Sequence, residues 1–132
     1  MKLVLCCGVF DLLHVAHLRH LEQARAMGDS LIVGITSDAT VNKGDGRPII
    51  PQQERAEMVL GLRCVSAVRI CKDSLEALQE WNPHIFVKGH DYIQKGLLPA
   101  EIEYCLNHNI DIRYTRENKL TTSSIIKRIK CT

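Results

Sequence analysis

The sequence predicts a single α/β domain built on a five-stranded parallel sheet with helices on both faces. Three observations lead there. Short apolar runs of strand length alternate with longer stretches of helical periodicity, the order that calls for right-handed crossovers on a parallel sheet. The runs are continuously apolar rather than alternating, as strands covered on both faces must be. The 132 residues, 45% of them hydrophobic, suit one core, and no repeat, low-complexity tract or linker divides them.

Residues 3–7 form the first apolar run and end at Gly8. Helical spacing of Leu18, Leu21 and Ala24 predicts a helix over 15–27, with Gly28 as its C-terminal stop. Residues 30–35 read as a second buried strand. Residues 36–51 hold two glycines and two prolines among Ser, Asp and Asn and show no apolar periodicity. A loop of that length in a compact domain tends to be functional, so it is the expected substrate cover. A helix over 52–62, a strand over 67–71, a helix from Ser74 through Trp81, a strand over 84–87, a helix over 99–107, a strand over 110–114 and a helix over 121–130 complete the order. Ligands of such sheets bind at the carboxyl ends of the strands, near the reversal of strand order. The polar motifs fall there: Gly8 to His17, Ser37 with Asp38, Lys88 to Tyr92, and Arg116 to Ser124.

Seventeen basic and fifteen acidic residues give a formal charge of +2, short of the basic stripe of a general nucleic-acid binder, so no nucleic-acid partner is expected. The local clusters of Lys43, Arg47 and Arg55, and of Arg113, Arg116, Lys119, Lys127, Arg128 and Lys130, suit a small polyanion instead. Six cysteines show neither a C-x-x-C pair nor zinc-ribbon spacing; Cys6, Cys64, Cys71 and Cys105 sit in or beside apolar runs and read as reduced core residues. No apolar stretch approaches the roughly 20 residues of a membrane span. The N-terminal run is too short for a signal peptide, and the expected location is cytoplasmic, without a membrane partner.

The strongest chemical signal is the strand-to-helix turn Gly8-Val9-Phe10-Asp11-Leu12-Leu13-His14-Val15-Ala16-His17. Residues three apart share a helix face, so His14 and His17 can address one ligand beside the positive end of a helix dipole. Gly8 lets backbone approach phosphates. Attack on an α-phosphate asks little covalent chemistry of a protein; positioning and neutralising the leaving pyrophosphate dominate, and two histidine donors suit that. A structural histidine pair, or a metal site of His14 and His17 with Asp11, are the competing readings; the expectation is no resident metal. Asp11 reads as a cap or turn residue more readily than as a general base.

The same stretch resembles the signature of the cytidylyltransferase-like superfamily, G-x-F-D-x-x-H-x-G-H, with Ala16 at the family's glycine. Asp38, the segment from Lys43 to Pro48, Arg55, and Val87-Lys88-Gly89-His90-Asp91-Tyr92 are similar to segments of bacterial heptose 1-phosphate adenylyltransferase domains, so the resemblance covers essentially the whole chain. Arg116 to Ile126 is similar to the second family signature, with Lys119 at the usual glycine and Thr121 at the usual serine.

The resemblance implies a Rossmann-like sheet, a homodimer, and a magnesium-bound nucleoside triphosphate, ATP or CTP. His14 and His17 would hold the triphosphate and stabilise the transition state, with Gly8, Val9 and Phe10 lining the phosphate turn. Lys43 would reach the α-phosphate or the acceptor phosphate. Lys88, Asp91, Arg116, Thr121, Thr122 and Ser123 would bind nucleotide; Asp11, Asp38, Arg47 and Arg55 fall to the second substrate. Arg55 reads equally as an exposed helix residue, and Asp91 as a turn cap. The expected reaction is nucleotidyl transfer, AMP from ATP, to a phosphorylated sugar or polyol such as a heptose 1-phosphate. Cytidylyl transfer to glycerol 3-phosphate, a riboflavin-nucleotide adenylyltransferase suggested by residues 47–51, and a binding module without turnover are the alternatives.

Overall fold

The computed structural model describes residues 1–41, 43–44, 46–116 and 122–130, with Lys130 described by its backbone alone. The strands are β1 (Leu3–Gly8), β2 (Ser30–Thr36), β3 (Ala67–Cys71), β4 (Ile85–Lys88) and β5 (Asp111–Tyr114). The helices are α1 (Val15–Arg25), α2 (Gln52–Leu60), α3 (Ser74–Trp81), α4 (Tyr92–Lys95), α5 (Pro99–Asn107) and α6 (Thr122–Lys130). All strand pairs are parallel and the sheet order is β3-β2-β1-β4-β5. The expected fold class stands.

The order reverses between β1 and β4, because the chain winds outward to β3 and then crosses to the other side. Right-handed crossovers therefore put α1 and α2 on one face and α3 and α5 on the other. Alternation along β1 divides the core accordingly. Val4 and Cys6 join Leu21, Val33, Val59 and Val87 in one cluster, while Leu5 joins Ile32, Leu78, Phe86 and Cys105 in the other. Burying each large side chain of this kind contributes about 1.5–3 kcal/mol.

Several boundaries shift from the sequence-based expectation. Helix α1 ends at Arg25, and its C-cap Ala26 is right-handed. Gly28 is not a left-handed stop. A Cβ there would stand 2.6 Å from Val4 Cγ2 and 2.8 Å from the Lys2 carbonyl oxygen, so the glycine serves close packing of the returning chain against β1. The expected 36–51 loop loses Thr36 to β2 and contains a 3-10 turn, Asp38–Thr40. Helix α4 was not legible, being four residues long. The fourth strand starts at Ile85, and the ring of the preceding His84 accepts the Leu3 N–H at 3.0 Å. The five described cysteines are free; Cys6, Cys71 and Cys105 are buried, whereas Cys64 is only half-buried. No helix among the described residues is long and apolar enough to cross a membrane.

Candidate active site

A cleft of about 840 Å³ opens at the carboxyl ends of the strands, where the order reverses between β1 and β4. Its first wall is the turn from β1 to α1. Two non-glycine residues of that turn, Phe10 (φ 53°) and Leu12 (φ 51°), take left-handed backbone, which favours neither side chain. The first folds the Phe10 ring back over Gly8, where a Cβ would lie 2.9 Å from Phe10 Cε2. The glycine expected to admit phosphate is thus required at least by this aromatic ring.

Asp11 holds the turn in place. Its buried carboxylate accepts from Arg47 Nε, Ile49 N and Ile50 N, each at 2.9 Å. Burial alone would raise its pKa, but the two backbone donors and Arg47 outweigh it and hold the carboxyl below its ordinary value. Asp11 is therefore neither a helix cap nor a base: its oxygens are engaged, and α1 is capped by another residue. Its backbone carbonyl accepts from the Thr122 hydroxyl at the start of α6. One short turn thus ties together β1, the loop after β2, and α6.

The cap of α1 is His14, whose Nδ1 accepts the Ala16 N–H at 3.2 Å. His17 completes a capping box by accepting the His14 N–H on its own Nδ1 at 3.2 Å. A neutral imidazole that accepts at Nδ1 carries its proton on Nε2. Both rings are therefore fixed in the same tautomer, each with one N–H left for a ligand. They stack with centroids 3.9 Å apart, and Phe10 meets His17 edge-on at 5.4 Å. His14 Nε2 is buried with no partner among the described residues. Burial lowers both pKa values; for His17, burial, His14 and Lys43 together bring it to about 4. The pair presents neutral donors, while Lys43, Lys88 and Arg116 bring positive charge to the cleft, and Lys95 there is paired with Asp91.

Ala16 occupies an ordinary helical position in the first turn, where alanine is favoured over glycine by up to about 1 kcal/mol. Its departure from the family glycine demands no unusual backbone. Lys43 lines the cleft, and burial and the neighbouring Arg47 lower its pKa. Lys88, at the end of β4, is buried and lies 4.0 Å from the Tyr92 ring centroid. Asp91 also lines the cleft, paired with Lys95 at 3.0 Å.

Arg55 and Asp38 do not line the cleft. Arg55 is 1% exposed, and its guanidinium donates to the Ile50 and Val9 carbonyls and to Asp38 Oδ1 at 2.6 Å. The other Asp38 oxygen accepts the Gln52 N–H at 3.3 Å. Both residues hold α2 and the preceding loop against the β1 turn, contacts that spend their polar groups away from the cleft; the alternative of an exposed arginine is corrected, since Arg55 is buried. Arg47 stands behind the cleft, bonded to Asp11 and 3.5 Å from the Ser123 hydroxyl, with Nη2 buried and unpartnered among the described residues. Thr122 lines the cleft but its hydroxyl is used on Asp11; Thr121 and Lys119 lie outside the described residues.

The sequence-based reading missed His20. It continues the three-residue spacing of His14 and His17 along α1 and lines the cleft, with Nδ1 2.8 Å from the Thr115 hydroxyl. The repetition itself was the available signal. Cys7 also lines the cleft, but burial pushes its thiol up to about 12, so it is not a thiolate nucleophile. Among the described residues no group of three His, Cys, Asp or Glu side chains is arranged to hold a metal ion.

Comparison with known proteins follows the same lines. Residues 5–131 match the family model described as cytidylyltransferase-like. The chain is 37% identical over 132 residues to the bifunctional protein HldE of Pelobacter propionicus, covering 97% of this chain and 27% of that protein. It is 39% identical to the HldE of Helicobacter pylori strain Shi470, covering 99% of this chain and 28% of that one. The chain thus spans about a quarter of the length of these relatives. Among solved structures it resembles a lipopolysaccharide core biosynthesis protein from Thermoplasma volcanium, with a TM-score of 0.77, 25% identity, and coverage of 90% of this chain and 99% of that one. A pantoate-beta-alanine ligase from Francisella tularensis shares the fold at a TM-score of 0.57 and 15% identity, covering 98% of this chain and 69% of that one. With the family model spanning nearly the whole chain and both histidines of the signature placed at one helix start, the chain belongs to the cytidylyltransferase-like family of nucleotidyltransferases.

Proposed function

We propose that the chain transfers AMP from ATP to a sugar phosphate such as a heptose 1-phosphate, releasing pyrophosphate. The observation that carries the reading is the pair of neutral imidazoles at the start of α1, each left with an Nε2–H donor in a cleft also lined by Lys43, Lys88 and Arg116. An acceptor phosphate oxygen attacks the α-phosphorus, the bond to the bridging oxygen of the β-phosphate breaks, and the pyrophosphate leaves with the electron pair. No covalent intermediate on the protein is needed. The Nε2–H donors of His14 and His17 bond the phosphate oxygens on which charge accumulates, the kind of contact whose loss costs about 100-fold or more in turnover. Lys43 neutralises the leaving group or the incoming phosphate.

Magnesium enters as part of the triphosphate substrate, held chiefly by phosphate oxygens and water, which needs no protein cage. The choice of ATP and a sugar phosphate is supported by likeness to the HldE proteins and to the lipopolysaccharide core biosynthesis protein. A homodimer is part of the proposal, on the family resemblance alone.

The test is pyrophosphate release with magnesium and each of ATP, CTP, GTP and UTP, against heptose 1-phosphate and glycerol 3-phosphate. ATP with the heptose phosphate is expected to lead. CTP with glycerol phosphate leading would replace the substrate assignment, and no release with any pair would leave a binding module.

A further inference from the structure

The three-residue spacing of α1 does not stop at the signature. His20 follows His17 by three residues, about 4.5 Å further along the axis, and Gln23 follows by another such step. All of them line the same cleft. Beyond the phosphate-facing pair, this wall changes character. Gln23 Oε1 accepts the Arg116 N–H at 2.8 Å, pinning the chain where it leaves β5. Thr115 is buried opposite, its N–H donating to the Lys88 carbonyl at 3.0 Å and its hydroxyl 2.8 Å from His20 Nδ1. The side chains this stretch of α1 and Thr115 present are neutral hydrogen-bonding groups, suited to sugar hydroxyls or a base edge, with Lys88, Asp91 and Arg116 lining the cleft beside them. The Nε2 of His20 has no partner among the described residues.

We propose that His20, oriented by Thr115, is a specificity residue that hydrogen-bonds the nucleoside half of the bound triphosphate through Nε2. The assignment rests on the nucleotidyltransferase reading and on position: a nucleoside attached to an α-phosphate at His14 and His17, and continuing along α1, arrives at His20. Lys88 and Asp91 are the charged groups near it. Burial and Lys88 together lower its pKa, favouring the neutral ring over a cation there.

The experiment measures calorimetric Kd values of the full chain for ATP, 2′-deoxy-ATP, CTP and inorganic tripolyphosphate. His20→Phe keeps a ring and removes both nitrogens. It is expected to raise the Kd for ATP about tenfold, the effect of losing one hydrogen bond, and to change tripolyphosphate binding less than twofold. His20→Gln, which keeps a side-chain donor and acceptor, is expected to recover part of the loss and serves as the test should the phenylalanine variant not fold. Thr115→Val should weaken ATP binding in the same direction, with a less than additive double variant. A loss in His20→Phe that disappears with 2′-deoxy-ATP assigns the contact to the ribose; one that differs between ATP and CTP assigns it to the base. ATP binding within twofold of wild type in both His20 variants, or an equal loss of tripolyphosphate, overturns the assignment. Wild-type protein that binds neither nucleotide nor tripolyphosphate would instead defeat the nucleotidyltransferase reading itself.

Discussion

Asp11→Ala is expected to detach the loop that carries Lys43 while leaving the sheet intact. The carboxylate accepts from Ile49 N, Ile50 N and Arg47 Nε, and the side chain of Asp11 is 1% exposed. A hydrogen bond to a charged group contributes about 1.5–3 kcal/mol, and removing one partner of a buried pair costs about 3–5 kcal/mol. Simple addition of three such bonds gives about 4.5–9 kcal/mol, for the most part above that range. The loop can instead release and let water solvate the two amides and the guanidinium, which caps the loss at the free energy holding the loop in place. A cap of about 3 kcal/mol corresponds to roughly a 100-fold loss of protection from hydrogen exchange at Ile49 and Ile50.

The assay is exchange at those two amides, with the β1 amides as the internal control. Asp11→Asn should resemble the alanine variant more than the wild type, because its one carbonyl oxygen cannot serve three donors. Turnover should fall in both variants through Lys43. Retained protection at Ile49 and Ile50, or equal loss across β1, would refute the idea that Asp11 is the anchor of this loop.

Three further expectations use other parts of the structure. His17→Ala should lower turnover about 100-fold or more while the chain stays folded, measured by pyrophosphate release beside a thermal melt; near-wild-type turnover would remove the histidine from the chemistry. Arg55→Ala should destabilise the protein by about 2–5 kcal/mol in urea titration, since it strands the Val9 and Ile50 carbonyls, while the half-exposed Asp38 can be solvated; a loss confined to substrate affinity would return Arg55 to the substrate site. Acid should act in two stages: stability falls as pH drops from the usual histidine value of 6.5 toward about 4, where native His17 resists protonation, and falls further below the ordinary aspartate value of 3.8 as Asp11 gains a proton. Urea midpoints against pH check this, and His17→Asn should remove that histidine's share of the first stage.

The sheet was legible because β1, β2 and β4 are continuously apolar, and a period that simple survives without tertiary information. The histidine pair was legible because its spacing is local. The roles of Asp38 and Arg55 were not, because a charged pair in a chain of ordinary composition reads the same whether it faces a ligand or its own backbone. What decided the matter is that Arg55 reaches Val9 and Ile50, contacts 46 and 5 residues away that no spacing rule encodes. Asp11 was legible as a turn residue, but not as the anchor of a distant loop. It lies three residues before the cap position, too far from α1 to cap it, and His14 performs that function because its own ring nitrogen can accept the Ala16 N–H.

That substitution of cap for cap explains how one turn joins stability to chemistry. A serine or aspartate at position 14 would satisfy the helix end equally well. It would then have no second polar atom aimed elsewhere as an N–H donor. An imidazole has two nitrogens in fixed opposition, so satisfying the backbone with Nδ1 leaves Nε2 as a donor, and His17 repeats the arrangement one step along. Protonation would abolish both Nδ1 acceptors, and the cost of breaking the capping box is one reason to keep the rings neutral. The cleft therefore obtains directional donors from the histidines and its net positive charge from side chains that do not have to accept anything, Lys43, Lys88 and Arg116. In the proposed reaction the directional donors would orient the α-phosphate for attack, and the cations would offset the charge of the leaving pyrophosphate. Assigning those tasks to different residues lets the site bind a polyanion without making the start of α1 depend on a charged histidine.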